Sequence, residues 1–317
     1  MSLFDLEDDL EDLARRAASA DPGIRRVAML ALAETAAPEA ESLLRAGLQD
    51  PAEDVRAAAA RALEEHPGLP AAGALIAALD DPAAAVRAAA AESLVARSEQ
   101  AAAPLLIARA EHGTAFARAA ALRALRELAA PDAGPVAAAS LADSCPDVRR
   151  EAVAVLGWLR AEAAQPGLMR TATDPEPEVR RATMAALVFV RSGAPGVAAL
   201  VAGLSDTDWR VREEAAATLG RARLAEAEGA LIAVMEDPVW QVRLKSAASL
   251  GRLRARRALP ALFTALTDTV SNLRKEAAAA LGEIADAAAT PALRRAAGDA
   301  DPEVRKTVLW ALGRCGG

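Results

Sequence analysis

The chain has 317 residues, a formal net charge of −7, 3% aromatic residues and no tyrosine. So few bulky side chains argue against the thick core of a compact α/β enzyme. The abundant Ala and Leu are strong helix formers and suit thin helical layers. The acidic balance and the lack of a basic stripe weigh against nucleic acid as a partner.

The first predicted element is an amphipathic helix within residues 1–18. Leu3, Leu6, Leu10 and Leu13 recur at helical spacing, with Asp8, Asp9, Glu11 and Asp12 largely off that stripe. Ser2 with Asp5 resembles a capping box. The first twelve residues hold six acids and no base, unlike the basic start of a signal peptide. The expected role is a polar cap on the helices next in the chain, with regulatory binding in a groove as the sharper alternative. Residues 1–160 carry 25 acids and 16 bases, and residues 161–317 carry 19 and 21, so positive charge accumulates in the second half.

From there one pattern recurs: Asp, often Pro, three loose positions, Val-Arg, then Ala and Leu at helical spacing. Clear copies begin at Asp50-Pro51 and Asp81-Pro82, others at Asp174, Asp206, Asp237 and Asp268. The arginine falls at Arg25, Arg56, Arg87, Arg118, Arg149, Arg180, Arg212, Arg243, Arg274 and Arg305, in steps of 31 with a single 32 after Arg180. Seven residues on sits Leu: Leu32, Leu63, Leu94, Leu125, Leu156, Leu187, Leu219, Leu250, Leu281 and Leu312. Asp reads as an N-cap and Pro as a first helical residue. Gly157, Gly220, Gly251, Gly282 and Gly313 read as left-handed helix ends. A second apolar segment, such as Ala74–Leu79, lies between successive copies. Two helices in 31 residues form an antiparallel pair that cannot bury its apolar face alone, so pairs stack. The prediction is all-α: a right-handed α-solenoid of about ten helix pairs, one array over residues 1–317. Repeat four has His112-Gly113 in place of Asp-Pro, so one inter-repeat tie is in doubt. The extra residue near Ser192–Gly196 marks the expected bend.

Few residues offer chemistry. His66 and His112 are the only histidines and read as exposed loop residues; no His/Cys group has zinc spacing. Cys145 and Cys315 are too few for a disulfide framework and fit a reducing cytoplasm. No phosphate loop is present. The run Arg252–Arg257 lies in a turn and reads as solvated charge, or as a contact for an acidic partner or a phosphate. No uninterrupted apolar stretch is long enough to span a membrane.

The Asp…Val-Arg…Ala…Leu-Gly signature resembles the HEAT-repeat superfamily, in the short bacterial form of phycobilisome (bilin) lyases. The resemblance implies that the second helix of each pair lines a concave face. It also implies that Asp50, Asp81, Asp174, Asp206, Asp237 and Asp268 with the ten arginines tie neighbouring repeats together. The di-iron HEAT hydroxylases use repeated His-Glu dyads, whereas this chain has only Glu65-His66 and Glu111-His112.

One helical face departs from core logic. Counting from the residue six before each arginine, positions +3, +4, +7, +8, +11 and +15 lie opposite the Val, Ala and Leu stripe. Yet they hold six of the eight aromatics: Trp209 and Trp240 at +3, Phe116 at +4, Trp310 at +11, Trp158 and Phe189 at +15. Arg150, Arg181, Arg210, Glu213, Glu214, Lys245 and Lys275 share that face. Trp and Arg are enriched at interface hot spots. The expected protein is a cytoplasmic, non-catalytic scaffold or assembly chaperone, a monomer or part of a heteromer. It would bind a protein partner in a groove centred on repeats five to eight, without cofactor, metal, nucleic acid or membrane span. The alternatives are a bilin-lyase-like tetrapyrrole handler and a DNA-binding HEAT protein of the alkylpurine-glycosylase kind.

Overall fold

The computed structural model describes residues 3–35, 37–161 and 164–316, with side chains from residue 10 onward. The Ser2–Asp5 capping box and the first leucine side chains lie outside the described residues. The chain is an α-solenoid, in two compact units, Met1–Leu159 and Arg160–Gly317.

In the first unit α1 (Leu3–Ala17) pairs with α2 (Pro22–Leu32), α3 (Pro38–Gly47) with α4 (Glu53–Ala62) and α5 (Leu69–Ala78) with α6 (Ala84–Val95). Next come α7 (Ala103–His112) with α8 (Ala115–Glu127) and α9 (Gly134–Ser140) with α10 (Pro146–Trp158). In the second unit α11 (Gln165–Thr171) pairs with α12 (Pro177–Ala186), α13 (Pro195–Gly203) with α14 (Trp209–Arg221) and α15 (Glu228–Val234) with α16 (Trp240–Arg252). The last pairs are α17 (Leu259–Ala265) with α18 (Ser271–Ile284) and α19 (Thr290–Ala296) with α20 (Pro302–Arg314). The acidic segment α1 thus takes the place of the first helix of a pair, against α2 and α3. Within each unit the second helices pack on one another far more extensively than the first helices do.

The repeated leucine explains the core. Leu32, Leu63, Leu125, Leu219, Leu250 and Leu281 are fully buried, in a core otherwise rich in alanines that let helices close in. Leu312, on the last helix, is only half-buried. The glycines after the leucines do not end helices, and three of them serve the same closeness. Gly220, Gly251 and Gly282 lie inside α14, α16 and α18. A Cβ on Gly220 would stand 2.7 Å from the Ser249 backbone, and one on Gly251 2.8 Å from the backbone of Ala280. Seams this tight exclude even a methyl group. The left-handed turns after the helices fall instead on Ala129, Arg160, Arg223, Arg254 and Ala285.

The aspartates also act differently from the N-cap reading. Asp50 Oδ1 accepts the Ala52 amide at 2.8 Å and Asp237 Oδ1 the Val239 amide at 2.8 Å, two residues on and before the helix begins. This Asx turn leaves the carboxylate free to receive the arginine of the preceding repeat. Arg212 donates from Nε to Asp237 Oδ2 at 2.7 Å and from Nη2 to Oδ1 at 3.0 Å, while Nη1 reaches the Asp206 carbonyl at 2.9 Å. Arg25–Asp50, Arg56–Asp81, Arg118–Asp143, Arg180–Asp206 and Arg274–Asp299 repeat the two-point grip, and Arg243 donates to Asp268. Asp143 and Asp299 are members that the Asp-Pro pattern overlooks, because proline comes three residues after them. In repeats one and ten a different residue caps the helix: Asp21 and Asp301 stand before Pro22 and Pro302, and each accepts an amide. The extra residue after Arg180 is absorbed in the turn before α13, where Gly193 is left-handed and donates its amide to Glu226 at 2.8 Å.

Repeat four lacks this tie, as its sequence implies. Arg87 faces no aspartate at His112; it bonds the Asp81 and Pro82 carbonyls of its own turn, and its guanidinium lies 5.4 Å from the Phe116 ring centre. Asp80 supplies a substitute, accepting the Thr114 hydroxyl at 2.7 Å and pairing with Arg109.

Arg274→Ala leaves the Asp299 carboxylate, 8% exposed, with one amide donor, and should cost about 1–3 kcal/mol, read by thermal unfolding. An unchanged midpoint would show the ties to be ornamental. The same ties set the response to acid. The Arg25 hydrogen bonds hold Asp50 below its ordinary value against the opposing effect of burial. Burial would raise Asp237, but Arg212 and the Val239 amide outweigh it, so it too is lowered. A depressed folded value means stability present above the unfolded pKa and lost as pH falls through the folded one. The melting midpoint should hold from neutrality to about pH 5 and drop below about pH 4, with a shallower drop in Asp237→Asn.

Candidate functional site

The candidate residues divide between the units: Phe116 and Trp158 in the first, Phe189, Trp209, Trp240, Trp310, Arg181, Arg210, Glu213 and Lys245 in the second. In the first unit a cleft of about 400 Å³ opens on the second-helix face. Phe116, 41% exposed, forms one wall, with Arg123, Cys145, Arg150 and Glu151 around an alanine floor. All of the named residues but Cys145 stand at positions that the helical wheel assigns to the outward face. Arg150 is held there by Asp147 at 2.6 Å and Glu151 at 3.1 Å. Trp158, the last residue of α10, is 52% exposed.

In the second unit Trp209 and Trp240 are the first residues of adjacent helices α14 and α16. Trp209 is exposed and Trp240 half-buried; neither indole is sealed between helices. Asp208 fixes this entry to α14: it accepts the Arg210 amide at 2.8 Å and pairs with the Arg210 side chain at 3.0 Å. Arg210 also reaches Glu178 on α12 at 2.9 Å, as does Arg181, and Lys245 of α16 stands 4.0 Å from Glu213 of α14. Of the expected charged flanks, Arg210–Glu178 and Lys245–Glu213 thus bridge neighbouring helices, whereas Arg181 pairs with Glu178 inside α12. Their neutralisation leaves the indoles as the distinctive chemistry here.

Two aromatics serve structure in part. Phe189 sits in a 3-10 turn after α12 ends at Ala186, so a helical wheel no longer places it; the Arg160 guanidinium stacks 4.1 Å from its centre. Trp310 lays its ring over Gly282, filling the room where a side chain would stand, and remains 48% exposed. Sequence reasoning missed Glu276, half-buried on α18; burial and then Glu283 push its carboxyl above the ordinary value, opposed by Arg252 and Lys245. In the sequence it stands directly after Arg274 and Lys275, at position +8 of the second-helix face.

A family model described as HEAT repeats matches residues 8–75, 135–200, 197–281 and 264–317, well over half of the chain. The chain belongs to the HEAT-repeat family. No curated protein matches it. Among solved structures, an engineered protein is similar over 98% of this HEAT chain and 99% of its own length, at 22% identity and a TM-score of 0.55. Yeast importin-β, Kap95p, is similar at 16% identity and a TM-score of 0.66, over 99% of this chain and 51% of its own. The karyopherin Kap121p, solved bound to the extreme C-terminus of the protein phosphatase Cdc14p, is similar at 15% identity and a TM-score of 0.64, over 98% and 42%. Likeness at these identities is one of fold. The HEAT chain spans about half the length of both karyopherins.

Of the other chemistry-bearing side chains of this HEAT array, His66 and Cys315 are built into it. His66 is buried, contrary to the loop reading, because its Nε2 meets the Leu32 carbonyl at 3.0 Å across the pair boundary. His112 is exposed. Cys315 is buried and burial raises its thiol pKa. Among the described residues no group of three His, Cys, Asp or Glu is placed to hold a metal, and no helix is long and apolar enough to cross a membrane.

Proposed function

We propose that this HEAT protein is a non-catalytic scaffold that grips a protein partner on its second-helix face. The observation carrying the reading is the pair Trp209 and Trp240. Two indoles occupy the same position of adjacent helices, reach solvent, and stand where the leucine core does not require them. Large rings held rigidly beside neutralised ion pairs are the usual anchors of protein interfaces. That Kap121p, of similar fold, is seen with a bound protein segment supports this use of the fold. An assembly chaperone would be the case in which the grip is transient.

The test is comparative capture. Tagged wild type, a Trp209→Ala/Trp240→Ala variant and an Arg294→Ala control on α19 are exposed to the same lysate and the retained proteins quantified. A partner kept by wild type and control but lost by the tryptophan variant supports the reading; a partner kept by all three removes it. The bilin-lyase resemblance is tested in the same preparation, since a tetrapyrrole would show as a visible absorption band.

A further inference from the structure

Many arginines of the second unit are paired with acids: Arg180, Arg181, Arg210, Arg212, Arg221, Arg243, Arg256 and Arg274 all hold carboxylates. Four that are not share one place. Arg223, Arg252, Arg254 and Arg314 make no ion pair among the described residues, and all four line one cavity of about 580 Å³ at the C-terminal ends of the last second helices. Glu283 and Trp310 complete its wall. Four arginines line it against Glu283, with Glu276 close enough to feel Arg252, a concentration of positive charge at odds with the acidic balance of the chain.

Local structure accounts for only part of it. Arg252 ends α16 and Arg314 ends α20, where the negative end of the helix dipole favours a cation. Arg223 and Arg254 lie beyond the helix ends, and both hold a left-handed backbone, φ 53° and 50°. Ala129 and Ala285 adopt the same conformation, so the turn itself demands it. Glycine meets that demand without strain, whereas a residue with a side chain is strained there. The turn needs left-handed backbone; it does not need arginine, yet two successive copies carry it into the same cavity. The indole of Trp310, close against Gly282 and half exposed, adds an apolar surface beside the charges.

We propose that this cavity seats an acidic segment of a protein partner, its carboxylates on Arg223, Arg252, Arg254 and Arg314 and an apolar side chain on Trp310. The proposal rests on the partner-binding reading above and names the chemistry of what is bound. Guanidinium forks match carboxylates in two-point geometry. A volume of several hundred cubic ångströms takes a few side chains. A nucleic-acid backbone would need a basic track, whereas these arginines converge on one hollow.

The experiment uses the full chain and a fluorescein-labelled peptide of glutamates interrupted by leucines, read by anisotropy. A peptide with glutamine for glutamate and an oligothymidylate of equal charge serve as comparisons. Arg223→Gly/Arg254→Gly is the informative variant, because glycine relieves the left-handed turns and should raise the melting midpoint while weakening the acidic peptide at least tenfold. Trp310→Ala should weaken it several-fold, and the glutamine peptide should not bind. Overturning results are no binding of the acidic peptide to wild type, unchanged affinity in the double glycine variant, or oligothymidylate binding as tightly as the peptide. Each of these leaves the Trp209 and Trp240 capture result standing or falling on its own.

Discussion

Leu219→Ala is expected to cost the second unit about 2–5 kcal/mol. Leu219 is fully buried on α14, in a cluster with Leu200, Val211, Ala216, Leu231 and Ala247. Many members of that cluster are alanines, whose short side chains cannot swing into a vacated space, and the backbones already come close at Gly220 and Ser249. The hole therefore stays open, which favours the upper part of the range. At about 2–4 °C per kcal/mol, the shift is easily read by calorimetry. A loss under about 1 kcal/mol would mean that the helices close over the gap and that the seams are softer than their contacts imply.

Trp209→Ala and Trp240→Ala should each weaken partner binding by about 2 kcal/mol or more, roughly a thirtyfold loss, with the fold retained. Trp209 should be the cleaner of the two, being the more exposed. Trp240 is half-buried and contributes some packing to α16, so its variant should show a small drop in midpoint beside the binding loss. Titration of the captured partner against each variant decides the matter. Variants that melt early yet bind normally once folded would assign both rings to the scaffold.

The period is legible because one geometric requirement, a pair of helices every 31 residues, writes the same Arg and Leu into each copy. The tie between repeats is legible for the same reason, though Asp143 and Asp299 emerge by counting back from the arginine and not by a search for Asp-Pro. The glycines mislead: a Gly near a helix end has two uses, turning the chain and admitting a neighbour, and only the neighbour's position distinguishes them. His66 misleads because the carbonyl it meets lies a whole repeat away. The aromatic face is legible as a departure from core logic where the helix persists, at Trp209 and Trp240. It is not where α12 stops short of Phe189. The arginine cavity is half visible as the run from Arg252 to Arg257; bringing in Arg223 and Arg314 requires the stacking of four second helices, α14, α16, α18 and α20.

A stacked array is only as cooperative as its thinnest junction. In the first unit that junction lies between α6 and α8, whose contact is much sparser than that of α4 with α6 or α8 with α10. It is also where Arg87 lacks the carboxylate clasp found at Arg56 and Arg118. Local opening should therefore divide the first unit there. Native-state hydrogen exchange would then show α2, α4 and α6 gaining deuterium as one block and α8 with α10 as another, each with its own opening free energy. Restoring an aspartate by His112→Asp should draw the two sets of amides toward a common exchange rate.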